Sequence, residues 1–429
     1  MSVLRDCTIK GMIRHFHHSP SLKNNQSELM RLLIATMIFS TALLSAQEKK
    51  EENNEPPQTV TQEDSVTIDG VKVDYTTTAS LLKLKTSDSK DRASIFHVSY
   101  LRKGVEKVHK RPVLFAFNGG PGSSAVWLHL GALGPKIVPT TEDGTQTLPP
   151  PQEVIPNIYS ILDVTDLVFI DPVSTGFSRA EGKAKPSEFH GVDEDIESVG
   201  DFIRRGTTEN NRWASPKFLL GESYGGIRAS GLSNHLQDKH GMSLNGVILL
   251  SPLIDYRTLR GSQGDDLSYS VFLPGMTGTS HYHKKITGDR DALVKAAYDF
   301  AFGDYAVALL KGSAISAEEK AATAKKLAEF TGLPASLFEE TNLRLSTTRY
   351  RKELLRAEGK VLGRFDARVA WPLVDESEDD AAYDPSYSVV YGAFATAMND
   401  YLSRTLKWKG HQPYNILTRS VHPWNWGAK

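Results

Sequence analysis

The chain has 429 residues, 40% hydrophobic and 24% charged, a globular composition with enough apolar side chains for a large core, which excludes disorder throughout. Its 50 basic and 51 acidic residues nearly cancel, and no Lys/Arg block is interleaved with aromatics, so nucleic acid is not an expected partner. The single cysteine, Cys7, excludes an internal disulfide, and no Cys/His spacing resembles a structural zinc site.

In chain order, the first feature is an apolar run at residues 32–44, between Met30-Arg31 and Ser45-Ala46-Gln47. Too short to span a bilayer comfortably, it reads as the hydrophobic region of a signal peptide cleaved after Ala46, with a membrane anchor or a buried helix as the alternative. Residues 1–29 then form an upstream extension before a start at Met30. Residues 1–46 would be lost on export to the periplasm or medium, leaving a product with no cysteine and no stable membrane insertion. Residues 47–65, rich in Glu, Lys, Asn, Pro and Gln, are expected to be a flexible linker.

Residues 71–77, 81–86 and 93–101 cluster β-formers between Gly, Ser and Asp and predict consecutive antiparallel strands. The runs 113–117 and 167–170 predict buried strands that deliver the loops Asn118-Gly119-Gly120 and Asp171-Pro172. Val192, Ile196, Val199, Phe202 and Ile203 fall at helical spacing, followed by a buried strand at 218–220, a helix at 225–236 and a fourth buried strand at 247–250. This alternation predicts a mostly parallel sheet covered on both faces. From Arg257 the pattern turns helical, at 291–310, 317–330, 350–358 and 387–406. The reading is therefore a core over 66–256 and a mainly helical cap insertion over 257–429, with no return to the core and the last strands of the fold missing.

Gly221-Glu222-Ser223-Tyr224-Gly225 lies directly after a buried strand and directly before a helix, the context of a nucleophile elbow. Its glycines let strand and helix approach closely while the turn projects Ser223 Oγ above the sheet. A nucleophile of this kind needs backbone N–H groups aimed where negative charge develops, one after the serine and one from an earlier glycine-rich strand end. Asn118-Gly119-Gly120-Pro121-Gly122 meets that need, so the oxyanion donors are assigned to the N–H groups of Gly120 and Tyr224.

Residues 117–124 (Phe-Asn-Gly-Gly-Pro-Gly-Ser-Ser), Gly134-Pro135, Asp171-Pro172 with Thr175-Gly176-Phe177-Ser178, and residues 221–226 stand in the order and spacing of the serine carboxypeptidase family, which the chain resembles from about residue 66 onward. Trp127-Leu128-His129 and Trp424-Asn425-Trp426-Gly427 look like its cysteine-poor bacterial members. The resemblance implies an α/β-hydrolase fold, peptide substrates with a free C-terminus and no cofactor. It also implies that Asn118 and Glu222 hydrogen-bond the substrate carboxylate, with Glu222 protonated or sharing one proton with it, hence acidic working conditions. Ser123 replaces a cysteine of many eukaryotic members, and Ala132 stands where the family has a further carboxylate-binding Glu.

In this fold the triad follows the order Ser, then Asp or Glu, then His. No late strand with an Asp turn and no Gly-His-Met segment is evident, so the triad acid and base are expected beyond Lys429 and the chain itself is expected to be inactive. His411 and His422 read as loop histidines, Asp255 as structural, and His281 and His283 as solvated, with no third ligand for a metal. The expected activity is serine-type carboxypeptidase; the alternatives are an esterase or acyltransferase on the same scaffold, or a catalytically dead peptide-binding protein. Mass spectrometry of the exported protein should find its N-terminus near Gln47; an intact N-terminus in the cytoplasm would refute the signal-peptide reading.

Overall fold

The computed structural model describes residues 59–427 apart from 260, 262, 263, 376, 378–380 and 411. The expected signal peptide, Cys7 and His411 lie outside the described residues. The main sheet is built from β1 (Thr59–Ile68), β2 (Val71–Lys85), β3 (Asp91–Arg102), β4 (Val113–Phe117), β5 (Asp166–Ile170), β6 (Lys217–Glu222) and β7 (Gly246–Leu250). Their order across the sheet is β1-β2-β3-β5-β4-β6-β7, and Arg179–Ala180 adds a short pairing to β3. The first three strands and the β3–β5 pair are antiparallel; β5, β4, β6 and β7 run parallel. Helices α1 (Val192–Glu209) and α2 (Gly225–His240) are the crossovers between β5, β6 and β7. The result is the mixed sheet of an α/β hydrolase, antiparallel on the β1 side and parallel from β5 to β7.

Strand β4 shows how the sheet is buried on both sides. Leu114 and Ala116 join one apolar cluster, with Tyr75, Tyr100, Phe169 and Leu220. Val113, Phe115 and Phe117 join the other, with the apolar faces of α1 and α2. A strand with two covered faces needs no polar positions, which is why its sequence is a continuous apolar run.

Four expectations change here. The linker was expected to run to residue 65, but Thr59–Ile68 pairs along its whole length with β2, from Thr59↔Ser80 to Ile68↔Val71. Asp69 and Gly70, at φ 46° and 79°, make the two-residue turn that fixes this register, and the polar residues 61–65 are the charged, solvated side of an edge strand. Residues 71–77 and 81–86 form one strand rather than two, because Thr77 and Ala79 keep the inward alternation through the small residues between them. The 247–250 strand is not buried: Val247, Ile248, Leu249 and Leu250 are 37–46% exposed, since among the described residues β7 pairs only with β6. The chain also returns to the core. Ala393, Phe394, Ala397 and Met398 of the last helix, Pro385–Asp400, pack into the same cluster as the sheet.

The cap therefore covers a shorter stretch than 257–429. Its own apolar cluster runs from Leu273 to Leu362. It includes the helix Leu267–Tyr282, which Pro274 and two glycines hide from sequence reading, and a break at Phe302-Gly303 splits the long predicted helix into Arg290–Ala301 and Asp304–Lys311. His281 and His283 are hydrogen-bonded to the carbonyls of Gly288 and Ala367, at 3.0 and 2.7 Å, so they stitch the cap and are not simply solvated. Among the described residues no helix is long and apolar enough to cross a membrane.

At the N-terminal ends of the parallel strands, Asp166 accepts hydrogen bonds from Arg212 (2.6 Å), Arg111 (2.8 Å) and the Arg102 N–H (3.0 Å). Arg212 and Asp166 are both almost fully buried. Removing one partner of such a pair strands a charge without water, so Asp166→Ala should lower stability by about 3–5 kcal/mol, read as a shift of the urea midpoint.

Candidate active site

The site lies at the opposite, C-terminal ends of the parallel strands. Register pairs Phe117 with Gly221, so β4 and β6 deliver their loops side by side. Ser223 sits at φ +59°, a left-handed conformation that a non-glycine residue adopts only when the surroundings impose it. Three backbone bonds do so. The Ser223 N–H donates to Leu250 O at 3.1 Å, while its carbonyl accepts from Gly226 (2.8 Å) and Leu253 (2.9 Å). A Cβ at residue 221 would fall 1.9 Å from the Gly225 carbonyl oxygen, and one at 226 would meet the Pro252 ring at 2.7 Å. Both glycines are therefore required by the closeness of strand and helix.

The glycine-rich loop after β4 touches this turn through its own backbone. A Cβ on Gly119 would lie 2.4 Å from Tyr224 N and 2.8 Å from Glu222 O, so no larger residue allows the two loops to meet. Gly120 follows at φ +107°. Neither the Gly120 nor the Tyr224 N–H donates to another described residue. An oxyanion hole needs two such free amides.

Asn118 is 1% exposed and held by three hydrogen bonds, with one Nδ2 hydrogen left over. Its Oδ1 accepts from the Leu128 N–H at 3.1 Å, its carbonyl accepts from Arg228 at 2.7 Å, and its Nδ2 donates to Glu222 Oε2 at 3.0 Å. The two residues expected to bind a carboxylate are thus brought together, and Glu222 directly precedes Ser223 in the chain. Arg228 is itself buried, paired with Asp195 at 2.7 Å and stacked over the Phe117 and Tyr224 rings.

Sequence reading missed Arg228 and Asp195. The available signal was their position on the inward faces of helices otherwise lined with Ile, Val and Leu, where a charge survives only if paired. It also missed that residues 413–426 return over the site. Ser123 pairs with Leu417, Trp424 and Trp426 stand edge-on to Tyr224 at 5.4 and 5.9 Å, and Asn425 exchanges backbone bonds with His190 and Val192. The terminal Trp-Asn-Trp is a packing segment.

No histidine or carboxylate among the described residues hydrogen-bonds the Ser223 hydroxyl. His422 is exposed on a turn closed by its own N–H to Arg419 O. Asp255 caps the Tyr256–Thr258 turn and pairs with Arg257, a structural role. Among the described residues no group of three or more His, Cys, Asp or Glu is arranged to hold a metal.

Comparison with known proteins follows the same outline. Among solved structures the chain is similar to a prohormone-processing carboxypeptidase from Saccharomyces cerevisiae, at 19% identity and TM-score 0.45, over 81% of this chain and 67% of that one. It is also similar to a peroxisomal alpha-beta-hydrolase of the same yeast, at 13% identity and TM-score 0.26, over 52% and 53% of the two chains. A soluble variant of its monoglyceride lipase, in complex with a substrate analogue, matches at 16% identity and TM-score 0.26, over 46% and 52%. The chain thus spans between about half and two thirds of the lengths of these structures. No curated protein matches. The model of the serine carboxypeptidase family matches residues 77–331, more than half of the chain, with both the Asn118–Gly122 loop and the Ser223 elbow inside the match. The chain belongs to the serine carboxypeptidase family.

Proposed function

We propose that the chain is a serine-type carboxypeptidase that removes C-terminal residues from peptides through an acyl-enzyme on Ser223. The observation that carries this reading is the 3.0 Å hydrogen bond from Asn118 Nδ2 to Glu222 Oε2 beside the strained serine. An amide donor and a carboxyl side by side form a seat for a free carboxylate, provided that the two facing acids share one proton. An enzyme that cuts internal bonds has no need of such a seat.

Seated there, a peptide presents the carbonyl of its last peptide bond to Ser223 Oγ. The Oγ–C bond forms as the hydroxyl proton leaves to a base, and the resulting oxyanion accepts hydrogen bonds from the Gly120 and Tyr224 N–H groups. The C–N bond then breaks, the released amine takes a proton, and water hydrolyses the ester. The base and its orienting acid are assigned to no described residue. In this reading the apolar run at 32–44 exports the protein to the periplasm or medium.

Two measurements test the proposal. By calorimetric titration, a peptide with a free C-terminus should bind the chain about 10–100-fold more tightly than its amide, the span of one or two charge-assisted hydrogen bonds. Glu222→Gln, whose amide still donates to a carboxylate, should keep the preference. Equal binding of acid and amide at every pH would favour an esterase or acyltransferase. In turnover of a blocked dipeptide, the chain should sit near the floor left by binding and an oxyanion hole, roughly a thousand-fold over water, since no described residue offers Ser223 a positioned base. Turnover at the level of a competent peptidase would show that a residue of this chain completes the triad.

A further inference from the structure

Residues 413–418 lie along two loops at once. On the oxyanion side, the Ser124 N–H donates to Ile416 O at 2.8 Å and the Thr418 N–H to Gly122 O at 2.9 Å. On the other side, Gly176 and Asn415 exchange backbone bonds of 2.8 and 3.1 Å, Asn415 Nδ2 donates to Ser174 O at 3.1 Å, and Arg179 donates to Pro413 O at 2.8 Å. Asp171 sits where the three segments meet. It is 2% exposed, its Oδ1 accepts from the Ala125 N–H at 2.8 Å, and its Oδ2 is pressed against Gly176, where a Cβ would lie 1.8 Å away. Asp171 Oδ2 and Ser124 Oγ are buried without a hydrogen-bond partner among the described residues, and Tyr414 of the strap is the phenol that acts on both.

We propose that Asp171, as a neutral carboxylic acid, is a positioning residue for the oxyanion loop: it clamps residues 118–125 to the strap 413–418, and its ionisation loosens that clamp. The proposal rests on the reading of Gly120 as an oxyanion donor. A neutral carboxyl here accepts from Ala125 and carries no charge on the unpartnered, buried Oδ2, which packs against Gly176, the residue that pairs with Asn415 of the strap. An anion in the same place has little water, and the charge that faces it, Arg179, is already engaged with the carbonyls of Gly176, Ser178 and Pro413. Tyr414 is the other titratable group against it, and burial keeps that phenol protonated. On the far side of the loop, His190 is held by Ser174 Oγ at 2.9 Å. Burial pushes the Asp171 carboxyl up to about 7, with the Ala125 N–H, Tyr414 and Arg179 opposing. The sign follows. A folded-state value above the unfolded one means that the stabilisation is complete below the unfolded carboxylate range and is lost as pH rises toward 7. Above that, the negative charge also opposes an oxyanion developing on the neighbouring loop.

Hydrogen–deuterium exchange on the full chain, corrected for intrinsic rates, tests this without requiring turnover. In the unmodified protein the protection of Ser124, Ala125, Gly176, Asn415 and Thr418 should fall about ten-fold or more between pH 5.5 and pH 8.5. Asp171→Asn, which keeps the acceptor for Ala125 and carries no charge, should hold the low-pH protection at both values. Asp171→Ala should be weakly protected at both; if it does not fold, the Asn variant still decides. Protection that is unchanged with pH in the unmodified chain overturns the proposal, as does Asp171→Asn losing it in parallel, which would move the titration to His190. Loss of the free-acid preference with the clamp behaving as stated would sink the carboxypeptidase reading and leave the clamp standing.

Discussion

A guanidinium sealed from solvent holds the parts of the site together. Arg228 reaches from α2 to Asp195 on α1 and to the carbonyl of Asn118 at the end of β4, and its planar face lies against Phe117 and Tyr224. A buried charge with its partners in place fixes geometry, because each alternative arrangement would leave a charge or a carbonyl without compensation. Two helices, the strand that carries the glycine loop and the residue that follows the serine are thereby locked to one another. Asn118 owes its orientation to this contact as much as to its own side-chain bonds.

Polar and apolar order are divided along the strands. At one end of the parallel set, Asp166 gathers arginines into a plug; at the other, close backbone contacts make the loops. Between them the side chains alternate into two separate cores. A buried polar chain runs through one of these: the Tyr100 hydroxyl meets His129 Nε2 at 2.5 Å and the Tyr401 hydroxyl at 3.1 Å. Burial pushes His129 down to about 3, so its ring stays neutral and shares a hydrogen bond with the Tyr100 hydroxyl. This ties the turn after the glycine loop to β3 and to the helical segment that ends near Leu406.

The elbow, the glycine loop and the strands before each were legible because local chemistry determines them. Gly221 and Gly119 stand where another backbone occupies the space of a β-carbon, and continuous apolar runs mark strands covered on both faces. What was not legible depends on partners distant in sequence. The charged segment at 61–65 reads as linker until β2 is known to lie beside it, and Leu267–Tyr282 reads as loop because Pro274 masks a helix that cap packing holds. The same limit hid the strap over the site, whose bonds at Ile416 and Asn415 join residues about 240 to 290 positions apart.

The two edges of the sheet are unlike. β1 presents Gln62, Glu63 and Asp64, whereas β7 presents Gly-Val-Ile-Leu-Leu with no charge at all. Charges on an edge discourage pairing with another strand, and a bare apolar edge invites it. Yet β7 is also the strand whose Leu250 carbonyl holds the Ser223 N–H. An edge strand with its side chains partly open to water is thus the one that keeps the serine in its strained conformation. Any polypeptide laid along β7 would therefore act as a stiffener of the nucleophile, slowing the breathing of the Ser223 amide without touching the serine itself.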